Sequence, residues 1–185
     1  MRTLKQLDIN GSIKQEKLIF KESWLDKFDT ITVYFVFGWA TIVPFLVYFD
    51  PHRNKNETGL FHYLIFLMTL LSIYVIYRKA NEKKLIKITS SNTQELNRSL
   101  INEYCIKENF RKYRDTKDII IYNEDADFNI NPNWVTSYIF LLKDNNILFT
   151  IIKERYKVNL PTLTKHLVVK NDLRKILKNI DTPNS

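Results

Sequence analysis

The sequence is poor in the residues that build many common ligand sites. It has one cysteine, Cys105, and three glycines in 185 residues. A single cysteine excludes a disulfide within the chain and a cysteine zinc site. The chain contains no P-loop, GxGxxG or GxSxG motif, and with only three glycines a glycine-rich loop that cradles phosphate is almost excluded. We expect the three histidines, His52, His62 and His166, to lie too far apart to share a metal.

Charge is absent from two long apolar runs, Thr30–Phe49 and Leu60–Tyr77. Each run has about the 20 residues that are needed to span the hydrocarbon core of a bilayer. The polar stretch Asp50–Gly59 separates them, so the sequence predicts a hairpin of two transmembrane helices. The chain then divides into a cytoplasmic arm (1–27), a first transmembrane helix (28–49), an outer loop (50–59), a second transmembrane helix (60–77) and a cytoplasmic domain (78–185). Since neither run carries a charge, we do not expect the hairpin to conduct ions alone.

Positive charge is concentrated beside the hairpin. The net charge is +8, and five basic residues follow the second apolar run: Arg78, Lys79, Lys83, Lys84 and Lys87. This bias predicts a multi-pass protein of the bacterial inner membrane with both termini in the cytoplasm.

These basic residues also suggest a ligand. Together with Arg111, Lys112 and Arg114 they are candidates for contact with anionic lipid headgroups. Nucleic acid is a second reading, with Tyr113 and Tyr156 available for stacking, but the position of the charge at the helix ends favours lipid. A third reading is a solvated charge mixture without a ligand.

Two features near the inner half of the hairpin allow more than one interpretation. Gly38, Ala40 and Pro44 offer small side chains and a kink where another helix could pack, or they are ordinary residues of a membrane helix. Leu18 could share a helical face with Trp24 and Phe28, which would place an interfacial helix on the inner leaflet. The alternative is a simple flank whose lysines snorkel.

The region after the hairpin has the patterns of a folded domain. It predicts the strands Lys83–Thr89, Ile119–Asp125, Trp134–Asp144 and Ile147–Glu154, a helix within residues 91–110, and a closing helix at Asn171–Ile180. A further strand between residues 155 and 169 is open, because Pro161 favours an edge or a loop. We read residues 111–117 as a polar linker. The fold class is therefore a membrane α-helical hairpin plus an α+β domain, with an antiparallel sheet of four to five strands and two helices in the order β-α-β-β-β-(β)-α.

No constellation of residues indicates catalysis. Glu124, Asp125 and Asp127 could hold a divalent ion, but the glycine and distal glutamate of an EF-hand are missing, and a solvated turn is favoured. Cys105 falls on the apolar face of the predicted first helix and reads as a core residue. We therefore expect a protein that is not an enzyme and needs no cofactor.

The layout resembles small bacterial inner-membrane proteins in which a two-helix hairpin carries a cytosolic α+β domain. The segments NNILFTIIKERY and NLPTLTKHLVVKNDLRKIL resemble the end of bacterial PH-like (YcxB-type) domains, which also follow a transmembrane hairpin. The resemblance covers about the last 40 residues and implies a lipid-binding role. The early helix departs from a PH-like barrel, which has strands there.

These observations predict a non-enzymatic, membrane-anchored binding or assembly protein. Its partners would be membrane lipid and a membrane protein or further copies of itself, with the cytoplasmic domain engaging a protein or an anionic lipid. One alternative is a membrane-active effector or immunity protein that acts through the hairpin. Another is an inner-leaflet enzyme that uses His166 and Asp125.

Overall fold

The computed structural model describes residues 4–52, 59–125, 135–154 and 158–178. Within them are five α-helices and one five-stranded antiparallel sheet. The helices are α1 (Ile9–Gln15), α2 (Trp24–Tyr48), α3 (Gly59–Ala80), α4 (Gln94–Lys107) and α5 (Lys165–Lys178). The strands are β1 (Ile86–Thr89), β2 (Arg111–Thr116), β3 (Ile119–Asp125), β4 (Val135–Lys143) and β5 (Asn146–Glu154).

The sheet is ordered β1-β5-β4-β3-β2, so β4 lies at its centre. The turn between β4 and β5 has Asp144 at φ 51°, a conformation that Asp tolerates better than most residues. Every residue of β4 from Val135 to Leu142 is buried. A strand buried on both faces reads as a continuous apolar run, because neither face meets water.

Two cores lie on opposite faces of the sheet. The first contains Phe140 and Phe149 with Ile101 of α4 and Leu173 of α5. Cys105 belongs to this core and is fully buried, as the sequence predicts.

The second core is covered by the N-terminal arm. Leu4, Leu7 and Leu18 pack with Ile139 and Ile152 on the face that α4 and α5 leave open. The arm is therefore a layer of the α+β domain, with a helical turn at Leu4–Gln6 and the short helix α1. The interpretation that places Leu18 on one helical face with Trp24 and Phe28 does not hold, since Leu18 precedes α2 and is 2% exposed.

The sheet has the predicted upper count of five strands, but the fifth strand is not where the sequence left it open. Residues 111–117, read as a linker, contain the edge strand β2, which pairs with β3. The described residues 158–164 contain no strand, and residues 155–157 lie outside the described part of the chain. The order is β-α-β-β-β-β-α, and the antiparallel sheet with two helices is confirmed.

Several boundaries differ from prediction. Helix α5 begins at Lys165, six positions before Asn171, and β1 begins at Ile86. Helix α2 begins at Trp24, within the stretch assigned to the arm. Trp134, Asp127 and the end of the predicted last helix fall outside the described residues.

Helices α2 and α3 pair with each other and leave most of their surface exposed. Val33 of α2, and Thr69, Ser72 and Val75 of α3, are the buried residues along their apolar stretches. Only 6% of the apolar window in α2 and 22% of that in α3 is buried. Both helices are long and apolar enough to cross a membrane, and they do not serve as the core of the α+β domain.

Candidate functional site at the hairpin junction

The beginning of α2 and the end of α3 meet in a buried cluster of charged side chains. The Lys79 ammonium lies 2.9 Å from Asp29 Oδ2 and 3.2 Å from Glu82 Oε2. The three side chains are only 1%, 4% and 3% exposed. Lys79 Nζ also donates a 2.7 Å hydrogen bond to the backbone oxygen of Asn159, whose own N–H donates to Asp29. The cluster thus joins both helices to the segment that follows β5.

Helical spacing brings these groups together. Asp29 precedes the buried Val33 by four residues, and Lys79 follows the buried Val75 by four, so both charges lie on the seam between the helices. Glu82 is in the turn that follows α3. A buried charge is tolerated when it is paired and hydrogen-bonded, and each carboxylate here faces the same ammonium.

A second group of contacts fixes α3 to the sheet domain. Tyr74 Oη donates to the Leu163 oxygen at 2.7 Å, and Arg78 Nε donates to the Thr162 oxygen at 3.2 Å. Thr150 Oγ1 of β5 donates to the Glu82 oxygen at 2.9 Å. Because three separate points attach α3 and the turn after it to β5 and its following segment, the hairpin is held in a defined orientation.

The arm closes the junction from the other side. Ser23 and Asp26 form a capping box that begins α2, with Ser23 N–H donating to Asp26 Oδ2 at 2.9 Å. Leu18 N–H donates to the Lys83 oxygen at 2.8 Å. Lys83 also pairs with Glu22, so the residues before α2 and after α3 are bonded to each other.

The basic residues that the sequence singles out do not form one surface. Lys79 is buried, Arg78 is half-buried against Thr162, and Lys83 is paired, whereas Lys84 and Lys87 are exposed. The other three belong to β2, at the opposite edge of the sheet from β1. There Arg111 lies 3.2 Å from Asp125, Lys112 lies 3.0 Å from Asp115, and Arg114 contacts the Leu4 oxygen at 3.5 Å.

Lys84 and three lysines of the arm, which the sequence did not single out for lipid contact, lie close in the chain to residues of the junction. The side chains of Lys17, Lys21, Lys27 and Lys84 are exposed, and Lys17 and Lys84 are bridged through their backbones. We call these four residues the junction lysines. The sequence shows the first three as basic residues of the arm, but their position beside Lys84 follows only from the packing of the arm.

The predicted helix-packing residues differ in their surroundings. A Cβ added at Gly38 would meet nothing within 4 Å, so this position faces open space. Pro44 lines an apolar groove of about 590 Å³ between the end of α2 and the first half of α3, with Tyr48, His62 and Phe66. Ala40 is half-buried. Gly38 therefore lies outside the α2–α3 contact and is free for lateral packing.

The two acidic candidates for chemistry form structural contacts, and His166 and Cys105 are buried. Glu124 accepts a 2.7 Å hydrogen bond from Tyr138 Oη and pairs with Lys165. Asp125, the next residue on β3, points to the other face of the sheet, away from the helix that carries His166. His166 is 7% exposed, and burial together with Arg78 and Lys170 lowers its pKa to about 4. Burial raises the pKa of the Cys105 thiol to about 12. In the described part of the chain, no three His, Cys, Asp or Glu side chains are placed to hold a metal.

Comparison with known proteins adds no further identification. No protein-family description, curated protein or solved structure matches this chain.

Proposed function

We propose that this chain is a two-pass inner-membrane protein that holds an α+β domain in a fixed orientation at the cytoplasmic surface, where it acts as a non-enzymatic binding or assembly protein. The observation that carries the proposal is the junction itself. Two helices with exposed apolar surfaces are joined by a buried ion cluster to a domain whose own core is complete without them.

The exposed apolar surface supports the membrane location. The side chains of Phe35, Phe45, Leu60 and Phe66 are 65%, 52%, 75% and 64% exposed. Patches of this extent on a protein in water lead to association, whereas hydrocarbon is a matching solvent for them. A soluble core helix would bury the same residues.

The junction lysines support contact with anionic lipid. They are close in the chain to the inner end of the hairpin, where a headgroup layer would lie, and each basic residue near an anionic surface contributes about 1 kcal/mol of attraction. We therefore assign lipid contact to Lys17, Lys21, Lys27 and Lys84 in preference to the basic residues of β2.

A lateral surface remains for a membrane partner. Gly38 faces open space on α2, and small residues allow close approach of helices in lipid. The partner is a membrane protein or a further copy of the chain. The PH-like resemblance is a separate hypothesis about the domain, and it agrees with a role in binding.

Cysteine labelling tests the orientation. In intact cells, a membrane-impermeant maleimide should label a His52→Cys variant directly and an Asn145→Cys variant only after permeabilisation. The native Cys105 is fully buried, so the unmodified chain is the unlabelled control. Labelling of both positions in intact cells, or of His52→Cys only after permeabilisation, would contradict the proposed orientation.

Purification from the native membrane in mild detergent tests the assembly role. The expected result is a stoichiometric partner or a defined homo-oligomer, which a Gly38→Leu variant should weaken. A Leu46→Ala variant, which changes an exposed residue elsewhere on α2, is the matched control. A clean monomer in several detergents would overturn the assembly part of the proposal.

A further inference from the structure

A polar cavity lies between β1, the loop that follows it and the end of α5. Its volume is about 500 Å³, and its polar lining comes from Lys87, Thr89, Ser90, Ser91 and Arg174. No carboxylate lines this cavity in the described part of the chain. It is separate from the hairpin junction and from the apolar groove between α2 and α3.

The cavity carries positive charge that has no counterpart. Lys87 and Arg174 are both exposed, and neither belongs to an ion pair among the described residues. They come from different elements, a strand and a helix, and converge on one space. A concave surface lined by one sign of charge raises the local concentration of the opposite ion.

Hydrogen-bond donors complete the site. Ser90 Oγ accepts the Asn92 N–H at 3.1 Å, and its own O–H therefore remains to donate. The loop that lines the cavity leads on to Thr93, the N-cap of α4, two residues beyond Ser91. A guanidinium binds phosphate oxygens in a bidentate manner. We propose that this cavity binds the phosphate group of an anionic ligand through Lys87, Arg174 and Ser90, without a glycine-rich loop.

The position of the cavity favours a soluble ligand over a lipid headgroup. The sheet meets the turn after α3 at Thr150, whereas Lys87 and Thr89 pair with Leu148 and Asn146, about 7 Å and about 13 Å before Thr150 along β5. Arg174 lies nine residues beyond Lys165 on α5, again about 13 Å from the hairpin end of that helix. Both elements place the cavity at the end of the domain away from the hairpin. The proposal does not depend on the function proposed above.

Isothermal titration of the full-length protein in detergent with inorganic phosphate, at constant ionic strength, tests the site. We expect saturable binding that a Lys87→Gln and Arg174→Gln double variant weakens about ten- to a hundredfold, because two charged hydrogen-bonding groups are lost. Lys175→Gln is the matched control, since Lys175 is the next residue on the same helix but lines a different cavity. Equal binding by the wild type and the double variant would overturn the site.

Nanodiscs distinguish the source of the phosphate. Phosphate affinity that is the same in discs of phosphatidylcholine alone and in discs that also contain phosphatidylglycerol supports a soluble ligand. Affinity that falls when phosphatidylglycerol is present would overturn that assignment in favour of a headgroup.

Discussion

Lys79 is the residue on which the junction depends most, because its ammonium group makes the contacts that join the helices. It lies between Asp29 and Glu82 and also holds the backbone of Asn159. When one member of a buried ion cluster is removed, the remaining charges have neither solvent nor partner. The geometry therefore predicts a large loss of stability from a substitution that leaves the apolar packing almost unchanged.

We predict that Lys79→Met lowers the free energy of unfolding by about 3–5 kcal/mol, because it leaves Asp29 and Glu82 as buried carboxylates without their ammonium. Titration with sodium dodecyl sulfate from mild detergent measures this loss. The exposed Lys84→Met is the control and should change stability by less than about 0.5 kcal/mol. A similar effect of both substitutions would contradict the structural role of Lys79.

His166 gives the domain a predicted response to acid. Its pKa is lowered to about 4 by burial, so the folded state favours the neutral imidazole. An unfolded histidine has a pKa of about 6.5, so His166 costs the folded state nothing above that pH. Below it, the unfolded state binds a proton that the folded state does not, and the free energy of unfolding falls. We predict a loss of up to about 3 kcal/mol as the pH falls from 6.5 to 4, which His166→Gln should remove.

Stability measured across that pH range checks the prediction. His52→Gln, in the exposed loop, is the control and should keep the acid response of the wild type. If His166→Gln kept the same pH profile, another group would be responsible.

Among the elements, the N-terminal arm has the least regular structure and a central position. Its leucines cover one face of the sheet, although its regular structure is limited to the turn Leu4–Gln6, the short helix α1 and isolated bridges. We predict that Leu18→Ala costs about 2–5 kcal/mol, because Leu18 is 2% exposed and its removal leaves a cavity against the sheet.

Denaturation of the Leu18→Ala variant in the same detergent measures this cost. Leu167→Ala, at a position of α5 that is 49% exposed, is the matched control and should cost less than about 1 kcal/mol. A neutral Leu18→Ala would indicate that the arm lies on the domain without stabilising it.

Some of the elements have a sequence pattern that predicts them, and others do not. Strands β3, β4 and β5 are predicted almost to the residue, because β-branched and aromatic runs bounded by turn residues mark buried strands. The sequence does not predict strand β2, because this strand lies at an exposed edge of the sheet and its residues, RKYRDT, show no apolar alternation. Charge on an edge strand opposes pairing with other chains.

The contacts at the junction are harder to predict from the sequence than the helices that they join. Lys79 has the position of an ordinary membrane flank, and only the fold shows that Asp29 and Asn159, far away in the chain, are its partners. Leu4 lies in a short helical turn, whereas Leu7 and Leu18 lie outside the helices, so no single element carries an apolar face that would place all three in the second core. Long-range contacts between irregular segments leave no local pattern.

For the whole molecule, the attachment of α3 at several points predicts that the hairpin and the sheet domain move as one body. Spin labels at Ile31→Cys on α2 and Asn145→Cys in the β4–β5 turn should give a narrow distance distribution in nanodiscs. Adding Asp29→Asn should broaden the distance distribution, because an uncharged amide replaces the carboxylate that binds both Lys79 and the backbone of Asn159. A broad distribution without that substitution would contradict a rigid junction.

The shared second core also constrains how the protein is made. Leu18 leaves the ribosome long before Ile152, its companion in that core, has been synthesised. The arm must therefore wait, without its final partners, while both apolar helices are synthesised. With the proposed membrane location, the arm can pack only if the chain returns to the side of the membrane from which it started. An insertion that left the two flanks on opposite sides would leave the second core without its covering layer, so the complete domain requires both flanks on one side.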